Sequence, residues 1–452
     1  MLHEVYLGPI RSQINNKALL LKRLRRNSED VEGDYALIPM HTGRSAASLS
    51  VQDGGTLPAA DRQRYTTVRV KVKYHYHTVQ VTGPSMSASR TGRGAFLRSL
   101  ESEMAGAARD ARLEKNRQCW QDGSGRIAAI VSAATPNITC KNLWDYSSQS
   151  PLLKGVKVGD RVAIEDVSAG GVQALGASGN YVDIIGVNPS TKVITLSAAI
   201  TAAVAQGDHL IKGTGTGDTV SINTTSFRGR SGATALDPKE QMGLMGIING
   251  PNGWPITPFA VGGAYVPSWD AGLSGDLYAG ASSASTFVRA KLQDWADPLW
   301  ASYVDFNAGV PRPITTRMIQ KMMDGVEELG EAAFTVMISD YATRLPILDV
   351  MAQDRRFVNA QAYKLDGGWE AIDFNGVPIT VDKDAPTGAL IGLHEPDLEF
   401  FQESDWFWLD KDGSILVRTS RADAWEATLA KYDELGSHRR SVHGAIGDIA
   451  II

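Results

Sequence analysis

The sequence predicts an α+β protein with several structural units, and three stretches carry that prediction. Residues 68–78 alternate in polarity with a period of two, which is typical of a β-strand. Residues 96–120 repeat apolar side chains at helical spacing. Residues 127–226 are poor in charge and rich in glycine, threonine, valine and isoleucine, which favours short strands and turns. At about 100–200 residues per unit, we expect about two to four units.

Composition and charge exclude several classes of protein. The chain has 45 Lys and Arg against 50 Asp and Glu, a net charge of −5 that excludes a generally basic nucleic-acid coat. Residues 1–120 carry a net charge of +8 (19 basic, 11 acidic) and the remainder −13 (26 basic, 39 acidic). Cys119 and Cys140 indicate neither a disulfide framework nor a cysteine-ligated zinc site. Without an apolar run of ~18 residues or a signal-peptide block, we expect a soluble protein of a reducing, intracellular compartment.

Residues 1–34 are predicted to form a basic arm. A short apolar stretch, Ala18–Leu21, is flanked by lysines and arginines, so a helix there would be short and basic. Such a helix either binds an acidic partner or nucleic acid, or presents a solvated charged face.

Residues 35–81 predict a long β-hairpin. YALIPM is the first strand, a loop rich in Gly, Ser, Ala and Asp follows, and TTVRVKVKYHYHTVQV is the second strand. Val79 and Val81 reverse the alternation, which predicts a bulge near Thr78. At ~3.3 Å per residue the second strand spans ~50 Å, more than most strands of compact domains. Such a ribbon needs a cover, and another copy of the chain is the natural candidate.

The next stretches predict a long helix and a separate β-rich unit. Residues 96–120 form an amphipathic, alanine-rich helix of about 25 residues that lies flat on a surface. Residues 127–226 predict a small β-barrel or sandwich, interpreted as an insertion. Residues 227–304 are rich in turns.

The C-terminal part predicts packed helices and strands. Residues 315–330 form a helix with a methionine-rich face, capped by Thr315 or Thr316 and ended by Gly330. AAFTVMIS is a buried strand, YATRLPILDVMAQ a helix broken at Pro346, and FNGVPITVDKDAP and TGALIGLHE are strands around turns. Residues 415–452 are compatible with either a helix or a long strand.

No motif in the chain demands catalysis. His75 and His77 have a spacing that suits a metal, but no third ligand is near in sequence and three cations share their face, so a polar contact face is favoured. The glycine-rich stretches at 91–96 and 213–218 lack the rest of a phosphate-binding motif. The aromatic run at 400–408 forms either a sugar or base platform or the packed edge of a domain, and packing is favoured. We expect no enzyme, no cofactor and no metal.

The order of these elements resembles the major capsid proteins of tailed bacteriophages with the Hong Kong 97-like fold. QDGSGRIAAI is similar to the turn after the long spine helix of that family. ITTRMIQKMMDGVEELGEAAFTVMISDYATRLPILDVMAQDRRF and FNGVPITVDKDAPTGALIGLHEPDLEFF resemble its axial domain, and ILVRTSRADAWEATLAKYDELGSHRRSVHGAIGDIA resembles the return to the peripheral domain. For residues 415–452 the resemblance therefore favours strand.

The resemblance implies a domain organisation and a structural function. In chain order it implies an N-terminal arm (1–34), an extended loop (35–82), a peripheral domain with a spine helix (83–126), an inserted β-domain (127–226), a connecting region (227–304), an axial domain (305–400) and a return to the peripheral domain (401–452). Copies would close into hexamers and pentamers of an icosahedral shell around double-stranded DNA. The extended loop would lie over the neighbouring subunit.

The resemblance also implies partners and contact residues. Expected partners are other copies, a separate scaffolding protein, a portal, possible decoration proteins and packaged DNA, in a virion assembled in the host cytoplasm. Candidates for intersubunit contact are Arg44, Asp53, Asp61, Arg62, Arg64, Arg69, Lys71 and Lys73. Some relatives join subunits covalently through a lysine in the extended loop. Residues 41–66 contain no lysine, so we predict a shell without such cross-links.

Two alternatives remain. The first is the shell of a bacterial nanocompartment of the same fold, against which the β-rich insertion counts. The second is a carbohydrate-active enzyme with a β accessory domain, which the aromatic run and residues 127–226 would supply.

Overall fold

A computed structural model describes most of the chain. The described residues are 19–84 (without 34, 44, 46 and 49), 93–165 (without 122, 124, 135, 144, 146–149 and 151), 182–198, 204, 208–212, 240–248, 302–354 (without 308–309), 363–365, 369–410, 413–419 and 422–451. Within them the α+β prediction is confirmed. Most of the predicted arm and the glycine-rich stretch at 213–218 lie outside the described residues. No described helix has the length and apolarity that crossing a membrane requires.

The described elements follow the predicted order. Residues 19–119 form α1 (Leu19–Arg23), β1 (Arg25–Asn27), β2 (Val31–Glu32), β3 (Tyr35–Gly43), β4 (Arg64–Lys71), β5 (Lys73–Thr82) and α2 (Arg93–Cys119). The β-rich unit contains β6 (Arg126–Ala134), β7 (Asn137–Asn142), β8 (Arg161–Glu165), β9 (Val182–Asn188), β10 (Val193–Leu196) and β11 (His209–Lys212).

The C-terminal half adds three helices and ten strands among the described residues. It contains α3 (Leu244–Ile247), β12 (Tyr303–Asp305), α4 (Thr316–Gly330), β13 (Val336–Ser339), α5 (Tyr341–Asp354), β14 (Tyr363–Leu365), β15 (Trp369–Phe374), β16 (Val377–Val381) and β17 (Leu390–Leu393). A 3₁₀ turn at Glu395–Asp397 leads to β18 (Leu398–Trp408), β19 (Val417–Arg418), β20 (Ala424–Ser437) and β21 (Gly444–Ile446).

These strands form four β-structures. In the first sheet β18 and β19 pair with one edge of β20 and β5 pairs with the other edge, while β1 pairs with β18. The second sheet has the order β12-β21-β17-β13-β16-β15-β14. Strands β2, β3 and β4 form the three-stranded hairpin sheet. Strands β6 to β11 close into a six-stranded barrel, in the region where the sequence predicts a barrel or sandwich. Strand β20 settles the C-terminal ambiguity in favour of strand.

Helix α2 lies along the first sheet. Its 27 residues span ~40 Å at 1.5 Å per residue, close to the predicted length. Met104, Ala107, Ala108 and Ala111 are buried, as the helical spacing predicts, and they pack with residues of β5, β18 and β20. The small alanine side chains allow the helix to approach the sheet closely. Helix α2 therefore supports the sheet through the face that contains residues 104–111.

The second sheet is covered by α4, whose predicted face is confirmed. Ile319, Met322 and Met323 are buried in its core, and the Thr315 hydroxyl accepts a hydrogen bond from the Met318 N–H at 3.3 Å. The prediction that Pro346 breaks the next helix is wrong, because α5 runs through it. A proline in a helix removes one intrahelical hydrogen bond, and burial of the adjacent Ile347 holds the segment in place.

The barrel is attached to both halves of the molecule. Lys212 of β11 forms an ion pair with Glu114 of α2 at 2.6 Å. Lys154, in the segment before β8, forms an ion pair with Asp340 at 2.9 Å and donates to the Ala385 carbonyl oxygen at 3.1 Å. The barrel is thus tied to the helix of the first sheet and to the loops of the second.

Replacing Gly243 with alanine is expected to destabilise the fold by about 2–3 kcal/mol. A methyl group there would lie 2.2 Å from the Gln118 carbonyl oxygen at the end of α2, so the backbone must shift. Gly106, which lies within α2, is the matched control because a methyl group there meets nothing within 4 Å. Gly106→Ala should be neutral or stabilising by up to about 1 kcal/mol. Urea unfolding midpoints of the two variants measure both effects, and equal midpoints would contradict the prediction.

Candidate assembly site: the hairpin and its buried anchor

The hairpin consists of β3 and β4 with an exposed loop between them. The two strands pair antiparallel from Tyr35↔Lys71 to Gly43↔Arg64. Residues 50–63 of the loop are exposed for the most part, and Leu57 is 78% exposed, more than any other large apolar side chain described. This apolar tip has no described cover within its own chain.

The eight predicted contact residues fall into three groups in the structure. Asp53, Asp61 and Arg62 lie exposed in the loop. Arg44 lies outside the described residues, and so do the side chains of three residues on β4, namely Arg64, Arg69 and Lys71. Lys73 is only 4% exposed, so its predicted position on an exposed face is wrong.

The alternation changes phase at Val72, not near Thr78 as predicted. Val70, Val72 and Lys73 are all buried, and Val72 separates β4 in the hairpin sheet from β5 in the first sheet. The pairing of β5 with β20 then runs from Lys73 to Thr82 without a register shift. The predicted sixteen-residue strand is therefore two strands in different sheets. The predicted polar face is not formed, because Lys73 and His75 point to the same side as Val79 and Val81.

A buried cluster of charged groups holds β5 in place. Asp433 of β20 is fully buried and accepts a hydrogen bond from Lys115 Nζ of α2. Its carboxylate also lies 2.9 Å from Lys431 Nζ and 3.2 Å from His75 Nε2 of β5. Lys115 Nζ is 3.0 Å from the same His75 nitrogen. One carboxylate thus joins β5, α2 and β20, which are far apart in sequence.

The charges of this anchor cluster (His75, Lys115, Lys431 and Asp433) are set by burial and by each other. Burial alone would raise the pKa of Asp433, but the cations of Lys115 and Lys431 hold it well below its usual range. Burial, with the charge of Lys115, lowers the pKa of His75 to about 4, so its imidazole is neutral at pH 7. The cluster therefore holds two lysines and one carboxylate at neutral pH. Lys431 Nζ also lies 5.8 Å from the Phe400 and Trp406 ring centres, which stabilises a buried cation.

Glu434, next to the cluster, is a buried acid that retains its proton. Its Oε1 accepts hydrogen bonds from the Met242 and Leu435 N–H groups, both at 2.9 Å. Burial raises its pKa to about 8. In the folded chain the side chain is therefore mostly neutral at pH 7, whereas it ionises in the unfolded chain.

Replacing Glu434 with glutamine should stabilise the chain increasingly as the pH rises from 4.5 to 8. A raised carboxyl pKa contributes stability below the unfolded value of about 4.5, and that contribution is lost as the pH rises through the folded value of about 8. Glutamine keeps the accepting oxygen but does not titrate. The gain over wild type should reach about 2–4 kcal/mol at pH 8 and be near zero at pH 4.5. Urea unfolding of both proteins at pH 4.5, 6 and 8 measures it, and a pH-independent difference would contradict it.

The aromatic run is core, which confirms the packing interpretation over a ligand platform. Phe400, Phe401, Trp406 and Trp408 are buried. Phe407 points to the outer face of the sheet, with its ring 5.4 Å from that of Tyr432. The described residues contain no group of three or more histidine, cysteine or acidic side chains placed to hold a metal ion.

Comparison with known proteins identifies the fold. No protein-family model matches the sequence, and no curated protein matches it either. The capsid asymmetric unit of cyanophage A-1(L) is similar over 96% of this chain and 93% of that chain, with 12% identity and a TM-score of 0.50. Mycobacterium phage Patience (TM-score 0.41, 9% identity, 98% and 86% covered) and the capsid of a native GTA particle (0.40, 7%, 97% and 91%) are also similar.

Proposed function

Because the chain has the fold of tailed-bacteriophage major capsid proteins, we propose that it builds the shell of such a phage. Copies assemble into hexamers and pentamers that close around double-stranded DNA. In this proposal residues 127–226, which include the barrel, are an insertion into the minimal fold. A separate scaffolding protein and a portal act during assembly, decoration proteins can be added, and DNA is contacted without sequence specificity. Assembly takes place in the host cytoplasm.

The exposed hairpin carries this proposal. A loop whose apolar tip is uncovered in its own chain gains stability by packing on another copy. The loop and the surface that receives it are unlike patches, and such head-to-tail contacts close into rings. Five hairpin cations are proposed to set the register, together with the loop acids Asp53 and Asp61: Arg44, Arg62, Arg64, Arg69 and Lys71. Lys73 is omitted because it is buried.

Electron microscopy of the purified chain, expressed with and without a scaffolding protein, tests the proposal. We expect closed shells of uniform size in at least one of the two preparations. Nucleic acid inside particles from infected cells would distinguish a genome container from an enzyme-filled compartment. A chain that stays monomeric at high concentration in both preparations would contradict the proposal.

Shells of this protein should fall apart completely into single chains in denaturant. Residues 41–66 contain no lysine, so the loop has no amine with which to form an amide cross-link to a neighbour. Boiled, reduced shells should give one band near 48.6 kDa on a denaturing gel. A ladder of multimers that survives boiling and reduction would show that another residue forms the link.

A further inference from the structure

His75 lies where strand β5 and helix α2 meet a large cleft. Its side chain is 11% exposed and lines this cleft of about 1140 Å³, which Val158–Arg161 and Lys212 of the barrel unit also line. A cleft of this size admits water, so protons can reach the imidazole although protein encloses most of it. His75 can therefore change its charge in the folded chain.

One nitrogen of His75 lies between a cation and an anion. Nε2 is 3.0 Å from Lys115 Nζ of α2 and 3.2 Å from Asp433 Oδ1 of β20. An ammonium group has donors and no acceptor, so at neutral pH the contact with Lys115 requires a lone pair on Nε2. The ring proton is then assigned to Nδ1. In this state the imidazole accepts a hydrogen bond from α2 and ties β5 to that helix.

Protonation of His75 reverses this arrangement. A second ring proton makes Nε2 a donor, which suits the carboxylate of Asp433 and opposes the ammonium group of Lys115. Two like charges 3.0 Å apart repel each other more strongly in a nearly buried site than in water. Because Lys115 and Asp433 belong to different elements, the proton decides whether the imidazole binds both α2 and β20 or β20 alone.

The groups around His75 do not compensate a further positive charge. Six titratable side chains lie on its face of β5 or on the two elements that contact it, α2 and β20: Lys73, His77, Lys115, Cys119, Lys431 and Asp433. Asp433 is the one carboxylate of these six, and it already pairs with Lys115 and Lys431. Three acids on α2 and neighbouring elements are engaged in ion pairs of their own: Asp405 with Arg26, Glu114 with Lys212 and Glu240 with Arg117. A proton on His75 therefore adds a third cation beside one carboxylate.

We propose that His75 is a proton-operated latch between strand β5 and helix α2. When neutral it ties the start of β5 to α2, and when protonated it stays with Asp433 and releases α2. The far end of β5 is not part of the latch, because Val79 and Val81 share an apolar cluster with Met104 and Ala108 of α2. The release is therefore confined to residues 73–77 and to the part of α2 around Lys115. The latch goes beyond the proposed function, because it works within a single chain.

Urea unfolding of the full chain between pH 7.5 and pH 4.5 tests the latch. Burial, with the charge of Lys115, lowers the pKa of His75 from 6.5 to about 4, so its contribution to stability is present above pH 6.5 and is lost as the pH falls toward 4. In His75→Gln an amide oxygen can accept from Lys115 without titrating. Over this range the unfolding equilibrium constant of the wild type should rise about fifty- to a hundredfold more than that of the variant. Equal pH profiles would overturn the proposal.

His77→Gln is the matched control. His77 lies on the same face of β5 and lines the same cleft, but the acids Glu114 and Asp110 favour its protonated form and oppose the lowering of its pKa by burial. This variant should therefore keep most of the wild-type acid response. Equal losses of that response in the two histidine variants would overturn the assignment of the latch to His75.

Nuclear magnetic resonance of the chain labelled with ¹⁵N-histidine provides a second, independent test. The His75 signals are assigned by their absence from the spectrum of His75→Gln. At pH 7 the Nε2 signal should have the shift of an unprotonated ring nitrogen, and it should titrate with a midpoint near pH 4. In Lys115→Met, which removes the repelling cation, the midpoint should rise toward 6.5. A protonated Nε2 at pH 7, or an unchanged midpoint in Lys115→Met, would overturn the latch. Neither test requires assembled shells, so the proposed function stands or falls separately.

Discussion

Replacing Asp433 with asparagine is expected to cost about 3–5 kcal/mol of folding free energy. The substitution removes the anion that Lys115 and Lys431 share, and both lysines are nearly fully buried. Lys431 keeps a longer ion pair with Asp405 at 3.8 Å, whereas Lys115 loses the carboxylate that it contacts. Lys115 already has a pKa lowered by burial, so the variant must either bury uncompensated charge or release protons from its lysines. Chemical unfolding at pH 7, followed by circular dichroism, measures the loss.

Asp183→Asn is the matched control for this effect. Asp183 also forms an ion pair at a short distance, 2.7 Å from Arg161, but both side chains are more than one-third exposed. Exposed pairs contribute about 0–1 kcal/mol, so the control should unfold close to wild type. Similar losses in the two variants would show that the Asp433 cluster does not anchor β5 as described.

Shortening the hairpin loop should abolish assembly without unfolding the chain. Residues 44–63 can be replaced by Asn-Gly, since a two-residue turn of this type joins directly paired strands such as those ending at Gly43 and Arg64. The exposed part of the loop contributes little to the core, so the free energy of unfolding should stay within about 0.5 kcal/mol of wild type. Shell yield, measured by sedimentation and electron microscopy, should fall at least a hundredfold.

The loop-shortening variant separates the role of the hairpin in assembly from its role in folding. Normal shells from the shortened chain would contradict the role of the hairpin in assembly. A folded chain that remains as monomers or small oligomers would support it, because the rest of the molecule is unchanged.

Local chemistry made several elements predictable from sequence. The methionine face of α4 follows from its helical period, and its first turn follows from a threonine cap. The turn between β15 and β16 follows from Asn375 and Gly376, which both have positive φ, as Asn-Gly turns of hairpins require. In each case the residues that determine the structure lie within a few positions of it.

The anchor cluster could not be predicted in the same way. Lys73 and His75 alternate with tyrosines, and a polar residue in an alternating strand is normally assigned to the solvent side. The burial of His75 is accompanied by contacts with Asp433, more than 350 residues away in sequence, and with Lys115 of α2. The available signal was that Lys73 and His75 share the parity of Val79 and Val81. Alternate residues from Lys73 to Val81 therefore lie on one face of β5. The predicted reversal near Thr78 arises only when the polar residues of that face are assigned to solvent.

Val72 has a further consequence for a closed container. On one side this single residue joins the hairpin sheet to the first sheet, and on the other side the hairpin continues through β2. Ala36, Ile38 and Val70 pack the root of the hairpin into the core, so the root is fixed and the loop beyond it is exposed. A container built from one polypeptide must curve more sharply around its fivefold corners than across its faces. In the proposed shell, the exposed loop beyond this packed root is the part of the hairpin that would adapt to that difference in curvature.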